Sequence, residues 1–97
     1  MMHADDKTGS VLSAITTLKR EIAEIIEPDF GLLDRLLAAN VLSRRQIATV
    51  RSKATVYDRN DTLLDLLTEE NQCKQFLDAL SRASQPHVVN FIRHNGG

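Results

Sequence analysis

The chain has 97 residues, of which 12 are Lys or Arg and 13 are Asp or Glu, so its formal net charge is only −1. This length fits one domain with one core, and the near-neutral charge argues against a dedicated nucleic-acid-binding protein, which carries a strong basic excess. The single cysteine excludes an internal disulfide and a thiolate metal cluster, and no apolar run approaches the roughly 20 residues of a membrane span.

The N-terminal residues "MMHADDKTGS" are polar and acidic, whereas a secretory signal is basic and then apolar. We therefore expect a disordered lead-in over residues 1–9, followed by one helical domain over residues 10–95. A lone thiol, Cys73, is typical of a reducing compartment, which predicts a cytoplasmic location without a membrane partner.

The first predicted helix runs from Val11 to Glu27, because apolar residues recur there at spacings of three and four. Ser10 is its candidate N-cap, and Pro28 is its stop because a proline disfavours helical geometry in the preceding residue. The apolar stripe consists of Val11, Ala14, Ile15, Leu18, Ile22, Ile25 and Ile26.

The stretch "GLLDRLLAANVLSRRQI" predicts a sharp corner between two helices. The second helix, capped by Asp29, carries Leu32, Leu33, Leu36 and Leu37 and ends at Asn40, a residue type that tolerates the left-handed conformation. Ser43 and Gln46 form a capping box that starts a third helix over Arg44–Arg51, which buries Ile47 and Val50. We expect Val41 and Leu42, between these helices, to point into the core and to fix the angle of the corner.

Three further helices follow, which gives an all-α, compact six-helix bundle with mostly antiparallel neighbours. The fourth is capped by Asp58 or Asn60, directs Leu63, Leu64, Leu66 and Leu67 inward and ends near Glu69 or Glu70. The fifth, Asn71–Ala83, buries Cys73, Phe76, Leu77 and Leu80. The sixth begins at Pro86 and carries Val88, Val89, Phe91 and Ile92.

No catalytic, cofactor or metal site is predicted. His3, His87 and His94 are not paired with another ligand at helical spacing, and glycine-rich phosphate loops and zinc motifs are absent. A Cys73/His87 nucleophile pair is conceivable, but a buried thiol explains Cys73 more simply. We expect no enzymatic activity and no cofactor.

The charges are unevenly distributed along the chain. Arg44, Arg45, Arg51, Lys53 and Arg59 form a basic group, and Asp58, Asp61 and Asp65 lie on one face of the fourth helix. Neither group requires a binding role. The basic group can be ordinary solubilising charge, and acidic residues are favoured near a helix N-terminus. A docking surface is the alternative, because arginine suits bidentate pairing with carboxylates and opposite patches on one domain permit head-to-tail contacts that form rings or filaments.

The corner "LLDRLLAANVLSRRQI" and the later segment "CKQFLDALSRASQPHVVNFI" together resemble a caspase recruitment domain (CARD) of the death-fold superfamily. The resemblance extends from Val11 to Ile92. It implies a Greek-key-like helical bundle that binds another CARD, or itself, in apoptotic or inflammatory signalling, usually as one part of a larger protein.

CARDs commonly join a basic face on helices 1 and 4 to an acidic face on helices 2 and 3. The resemblance assigns Lys19, Arg20 and Arg59 to the basic side and Glu27, Asp29 and Asp34 to the acidic side. This chain departs from that pattern, because its third helix is basic and its fourth is mostly acidic. The predicted interface residues are therefore Lys19, Arg20, Asp34, Arg44, Arg45, Arg51, Asp58, Arg59, Asp61 and Asp65.

Two alternatives remain open. The first is another death-fold module, such as a pyrin or death-effector domain. The first helix distinguishes the two, because it is usually kinked or broken in CARDs. The segment "SAITTLKREIAEIIE" contains no proline or glycine that would force a kink. A helix-turn-helix nucleic-acid-binding domain could use Arg44, Arg45 and Arg51 of the third helix as its reader, although the near-neutral charge makes a nucleic-acid partner the less favoured prediction.

Overall fold

The computed structural model describes residues 10–27 and 31–95 of the chain. The predicted lead-in over residues 1–9, the stop at Pro28 and the cap at Asp29 lie outside these residues. The described residues form seven helices and no strand, and the elements are α1 (Val11–Thr17), α2 (Lys19–Ile25), α3 (Leu32–Ala38), α4 (Arg44–Arg51), α5 (Val56–Asp65), α6 (Glu70–Arg82) and α7 (Pro86–Asn95). The all-α prediction is confirmed.

The predicted first helix is broken at Leu18, and this break gives the described residues seven helices where six were predicted. Leu18 has φ −100° and ψ 14°, and the backbone hydrogen bonds resume when Ile22 donates to the Leu18 carbonyl at 2.9 Å. No proline or glycine stands at the break. α1 packs on α6 and α7, whereas α2 packs mainly on α5 and makes a smaller contact with α7. The two halves therefore bury their apolar stripes mainly against different neighbours. The predicted first helix over Val11–Glu27 is two shorter helices, and the second of them ends at Ile25.

The corner between α3 and α4 forms as predicted. Asn40 adopts the left-handed conformation with φ 61°, and the amides of Asn40 and Val41 donate to the carbonyls of Leu37 and Leu36, which is the Schellman arrangement. Val41 is 4% exposed and Leu42 is 2% exposed, so both residues point into the core.

The start and end of α5 differ from the prediction. Thr55, not Asp58 or Asn60, caps the helix, and its hydroxyl accepts the amide of Asp58 at 3.0 Å. The helix ends at Asp65, earlier than predicted, and Leu67 is nevertheless buried in the turn that follows. Thr is a weaker sequence signal for an N-cap than Asp or Asn, so the cap was assigned three to five residues too late.

The core is aliphatic, with Phe76 as its fully buried aromatic residue. Cys73, Leu77, Leu80, Val88, Val89 and Ile92 are buried with it as predicted, and Phe91 is half-buried. None of the described helices is both long and apolar enough to cross a membrane.

Two buried side-chain amides, neither of them predicted from the sequence, hold the end of α2 in place. Asn60, which is fully buried within α5, donates from Nδ2 to the carbonyls of Ala23 at 2.7 Å and Ile26 at 2.9 Å. Gln85 accepts the Glu27 amide and donates to the Glu27 carbonyl, both at 2.8 Å. These bonds satisfy backbone groups that a helix end leaves without partners.

Candidate protein-interaction surface

Side-chain hydrogen bonds hold the α3–α4 corner in place from two sides. The Ser43 amide donates to Gln46 Oε1 at 2.9 Å and the Gln46 amide donates to Ser43 Oγ at 3.1 Å, which is the predicted capping box. Gln72 of α6 donates from Nε2 to the Val41 carbonyl at 3.1 Å. The surface residues of α4 are therefore held in fixed positions relative to α3 and α6.

The basic residues of α4 divide into paired and unpaired groups. Arg51 forms an ion pair with Asp34 of α3, with 3.1 Å between Nη2 and Oδ1. Arg44 and Arg45 are exposed at the start of α4, and neither makes an ion pair with another of the residues that the structure describes. These two guanidinium groups are thus available to a carboxylate from outside the chain.

A groove of about 520 Å³ lies beside these arginines, between α3 and α4. Its lining combines an apolar floor with basic edges, and it consists of Leu37, Arg44, Ile47, Ala48, Arg51 and Ser52. Ala48 is the small, exposed residue of this floor, whereas Ile47 is buried beneath it. The lining contains no carboxylate.

The acidic face of α5 is partly neutralised within the chain. Lys19, the first residue of α2, contacts Asp61 at 3.3 Å and lies closer still to Asp65. The hydrogen bond to Asp65, together with the one to Asp61, raises the pKa of the Lys19 ammonium against the smaller opposing effect of its partial burial. Asp58 is exposed and makes no side-chain ion pair with the rest of the described chain.

The residues expected on a basic side therefore do not act as one patch. Lys19 lies against the acids of α5, and Arg59 donates from Nη1 to the Lys53 carbonyl at 3.0 Å. Arg20 is exposed next to Lys19. On the expected acidic side, Asp34 is paired with Arg51, Glu27 is exposed, and Asp29 lies outside the described residues.

Two exposed hydrophobic residues, Val56 and Tyr57, lie at the start of α5 and were not among the predicted surface residues. Val56 is 46% exposed and Tyr57 is 40% exposed, and they are the large hydrophobic side chains that the described residues leave exposed. Tyr57 borders a shallow polar depression with Arg20, Glu21 and Asp61. The signal was available, since "TVYD" places two apolar residues directly after the Thr55 cap and outside the inward leucine stripe.

Cys73 does not support catalysis. Its side chain is fully buried, and burial, with a smaller contribution from the Glu70 charge, raises the pKa of the thiol to about 11. Thiolate is the nucleophilic form of cysteine, so this group is neither accessible nor ionised at neutral pH. His87 is exposed on α7 whereas the Cys73 thiol is buried, so the buried thiol that the sequence favoured over a Cys73/His87 pair is what the structure shows.

Comparison with known proteins gave one finding. The model of a family described as "Caspase recruitment domain" matches residues 13–95. The match begins at the third residue of α1 and extends to the end of α7. No curated protein and no solved structure matched significantly.

Proposed function

The chain belongs to the caspase recruitment domain family, and from this we propose that it is a non-enzymatic module that assembles with another CARD or with copies of itself. Homotypic protein interaction is the established role of the family. We further propose a cytoplasmic location and a part in apoptotic or inflammatory signalling, as an adaptor or recruitment domain that is attached to a larger protein.

The observation that carries this proposal is the pair of unpaired arginines on α4. Arg44 and Arg45 are exposed, held by the capping box of Ser43, and free of ion pairs with the described residues. Arginine pairs with carboxylates through two parallel hydrogen bonds, which gives both affinity and orientation. We assign the complementary acidic surface to α5, where Asp58 makes no ion pair with another described residue and Asp61 and Asp65, which contact Lys19, lie nearby.

This assignment reverses the polarity that the family resemblance implies. In this chain the α3–α4 side supplies the positive charge and the α5 side supplies the negative charge. Arg51 and Lys19 already have partners in the same chain, so they orient and neutralise neighbouring carboxylates. The proposed contact therefore depends on Arg44 and Arg45 more than on the other basic residues.

The test is a double charge reversal, Arg44→Glu with Arg45→Glu. Light scattering across a concentration series measures assembly, and thermal denaturation measures stability. We expect the wild-type size to grow with concentration and to fall as salt is added, because salt screens exposed charges. The double variant should remain monomeric with little change in its melting temperature, since both residues are exposed.

The matched control reverses two exposed basic residues elsewhere, Lys74→Glu with Arg93→Glu. It changes the net charge by the same amount, so it separates a local contact from a general effect of charge. Assembly of the Arg44/Arg45 variant at the wild-type concentration would remove these residues from the interface. A gel shift with duplex DNA over a range of salt concentrations tests the helix-turn-helix alternative directly, because phosphate contacts weaken steeply with salt.

A further inference from the structure

We propose that Asn60 is an acceptor for an N-linked glycan while the chain is unfolded, and that the chain cannot fold once the glycan is attached. Asn60, Asp61 and Thr62 form the sequence Asn-x-Thr without proline at the middle position, which is the acceptor signal. No other asparagine of the sequence has serine or threonine two positions later. The domain therefore reaches its native fold only in a compartment that lacks the glycosylating enzyme, whichever surface it uses for assembly.

The glycan would be attached to the atom that joins α5 to α2. An oligosaccharyltransferase transfers the glycan from a lipid pyrophosphate carrier to the asparagine Nδ2. The bond between sugar C1 and the pyrophosphate oxygen breaks, a bond between C1 and Nδ2 forms, one amide proton passes to a base of the enzyme, and the lipid pyrophosphate leaves. In the fold, Asn60 Nδ2 donates to the carbonyls of Ala23 at 2.7 Å and Ile26 at 2.9 Å. Both amide protons are thus in use, and the modified amide could satisfy only one carbonyl.

The interior around Asn60 has no room for the glycan. Asn60 is 0% exposed, and Leu63 and Leu64, on the same inward stripe of α5, are 0% and 4% exposed. Protein interiors are close-packed, whereas an N-linked glycan is bulky and lies on the surface. Because α2 packs mainly on α5, a glycan at Asn60 would separate these two helices. The native fold and a glycosylated Asn60 therefore exclude each other.

The order of synthesis exposes Asn60 to the enzyme before the fold can bury it. The core is completed by Phe76, Leu80 and Val88, which are 0% exposed and follow Asn60 in the chain. At about 5 to 20 residues per second, the ribosome needs about 1 to 6 s to extend the chain from Asn60 to Val88. During this interval a chain that enters the secretory pathway presents Asn60 in an unfolded segment.

The buried Asn60 is a physical reason for the proposed cytoplasmic location that is independent of family membership. Oligosaccharyltransferases act in the lumen of the secretory pathway, so a chain that stays in the cytoplasm does not meet them. There the Asn60 amide remains unmodified and can form both of its hydrogen bonds.

The experiment translates the full chain in a cell-free system with two arms. In the first arm the chain carries a cleavable secretion signal and microsomes from the endoplasmic reticulum are present, and in the second arm both are left out. Glycosylation is measured as a gel shift that an endoglycosidase reverses. Folding is measured as the rate of digestion by trypsin after the microsomes are dissolved.

Three variants isolate the effect of a glycan at Asn60. Thr62→Ala removes the acceptor signal and keeps the Asn60 amide, whereas Thr62→Ser changes the same position and keeps the signal. Thr62 is half-buried, and its side chain forms no hydrogen bond with another of the described residues. The third variant combines Thr62→Ala with Lys53→Asn, which creates an acceptor signal with Ala54 and Thr55, where all three positions are exposed.

We expect the wild type and Thr62→Ser to be glycosylated in the microsomes. Both should then be digested at least about 10-fold faster than the same chains made without microsomes, because digestion follows the unfolded population. Thr62→Ala should be unmodified and equally resistant in both arms. The variant with Lys53→Asn should be glycosylated and still resistant, which separates a glycan in the core from a glycan at the surface.

Three outcomes overturn the proposal. A wild type that stays unmodified in the microsomes would show that Asn60 is not an acceptor, and a glycosylated wild type that resists trypsin would show that the fold accommodates the glycan. Rapid digestion of Thr62→Ala in the microsomes would show that another feature prevents folding there. Each of these outcomes leaves the proposed assembly standing, because the reversal of Arg44 and Arg45 tests it separately.

Discussion

Replacing Asn60 with alanine should destabilise the fold strongly, because this side chain joins two helices from inside the core. Asn60 is 0% exposed, and its Nδ2 group donates to the carbonyls of Ala23 and Ile26 at 2.7 and 2.9 Å. Those carbonyls lie at the C-terminal end of α2, where the helix itself offers no amide donors. Asn60→Ala leaves both of them buried without this partner.

The magnitude follows from the buried carbonyls. Each buried acceptor that loses its hydrogen bond costs about 1 to 3 kcal/mol. Asn60 Oδ1 has no hydrogen-bond partner among the residues that the structure describes, so its removal recovers part of this cost, and alanine is the better helix former by about 0.6 kcal/mol. We expect a net loss of about 2 to 3 kcal/mol in the free energy of unfolding, which lowers the melting temperature of a domain of this size by about 10 to 20 °C.

Urea denaturation followed by circular dichroism measures this loss. The matched control is Asn90→Ala, the same change at an exposed position of α7, for which we expect a change within about 0.5 kcal/mol. A second variant, Asn60→Asp, removes the donors and buries a carboxylate against two carbonyls, so its stability should fall as the pH rises and the carboxyl ionises. Unfolding of Asn60→Ala and Asn90→Ala at the same urea concentration would show that the hydrogen bonds of Asn60 do not stabilise the fold.

Three further predictions concern the acid at the start of α6, the thiol and the corner. Burial acts to raise the pKa of Glu70, but hydrogen bonds from the amides of Leu12 and Val11 lower it overall. The difference in unfolding free energy between the wild type and Glu70→Gln should therefore be constant above about pH 5 and should shrink below it, as the carboxylate is protonated. Denaturation curves recorded at several pH values measure this difference. Cys73 should resist a thiol reagent in the native state and react fully in denaturant, because it is buried and its pKa is raised to about 11; rapid labelling of the native protein would contradict this. Leu42→Ala should cost about 2 to 5 kcal/mol in urea denaturation, since Leu42 is only 2% exposed at the corner, and a loss below about 1 kcal/mol would mean that the corner does not depend on this side chain.

Local signals in the sequence were sufficient for most of the fold. The bounds of α4 were predicted correctly because Ser43 and Gln46 satisfy backbone groups within one turn, and Asn40 was identified because few residue types adopt its conformation. The bundle and its core followed from the helical spacing of the aliphatic residues. These features depend on residues that are close together in the chain, so they can be predicted from a single sequence.

The features that were missed depend on residues far apart in the chain. The break at Leu18 separates α1, which packs on α6 and α7, from α2, which packs mainly on α5, and no local residue type marks it. Asn60 was taken for a possible cap, although its position on the inward stripe with Leu63, Leu64 and Leu67 indicated burial. Glu70 caps the start of α1 from 58 residues away in sequence, and such a contact has no periodic signal.

The charged residues were identified from the sequence, but their pairing was not. Whether Lys19 faces solvent or the acids of α5 depends on where the broken first helix directs α2, and the structure pairs it with Asp61 and Asp65. Likewise Arg51 meets Asp34 only because the corner folds α4 back on α3. A pattern of charges along the chain therefore overstated how many of them are available to a partner.

The energetics of exposed charge limit what the remaining unpaired residues can do. An exposed ion pair contributes about 0.2 to 1 kcal/mol, whereas a contact that is half-occupied at micromolar concentration requires about 8 kcal/mol. Arg44 and Arg45 alone thus fall well short of the affinity that a recruitment domain needs. Tyr57 is 40% exposed, so burial of the remaining accessible part of an aromatic side chain at about 25 cal/mol per Å² adds about 1.5 to 2.5 kcal/mol before the costs of association are subtracted. Charge can select the partner and orient it, but most of the free energy has to come from several apolar contacts of this size, added together in one interface or repeated along an assembly.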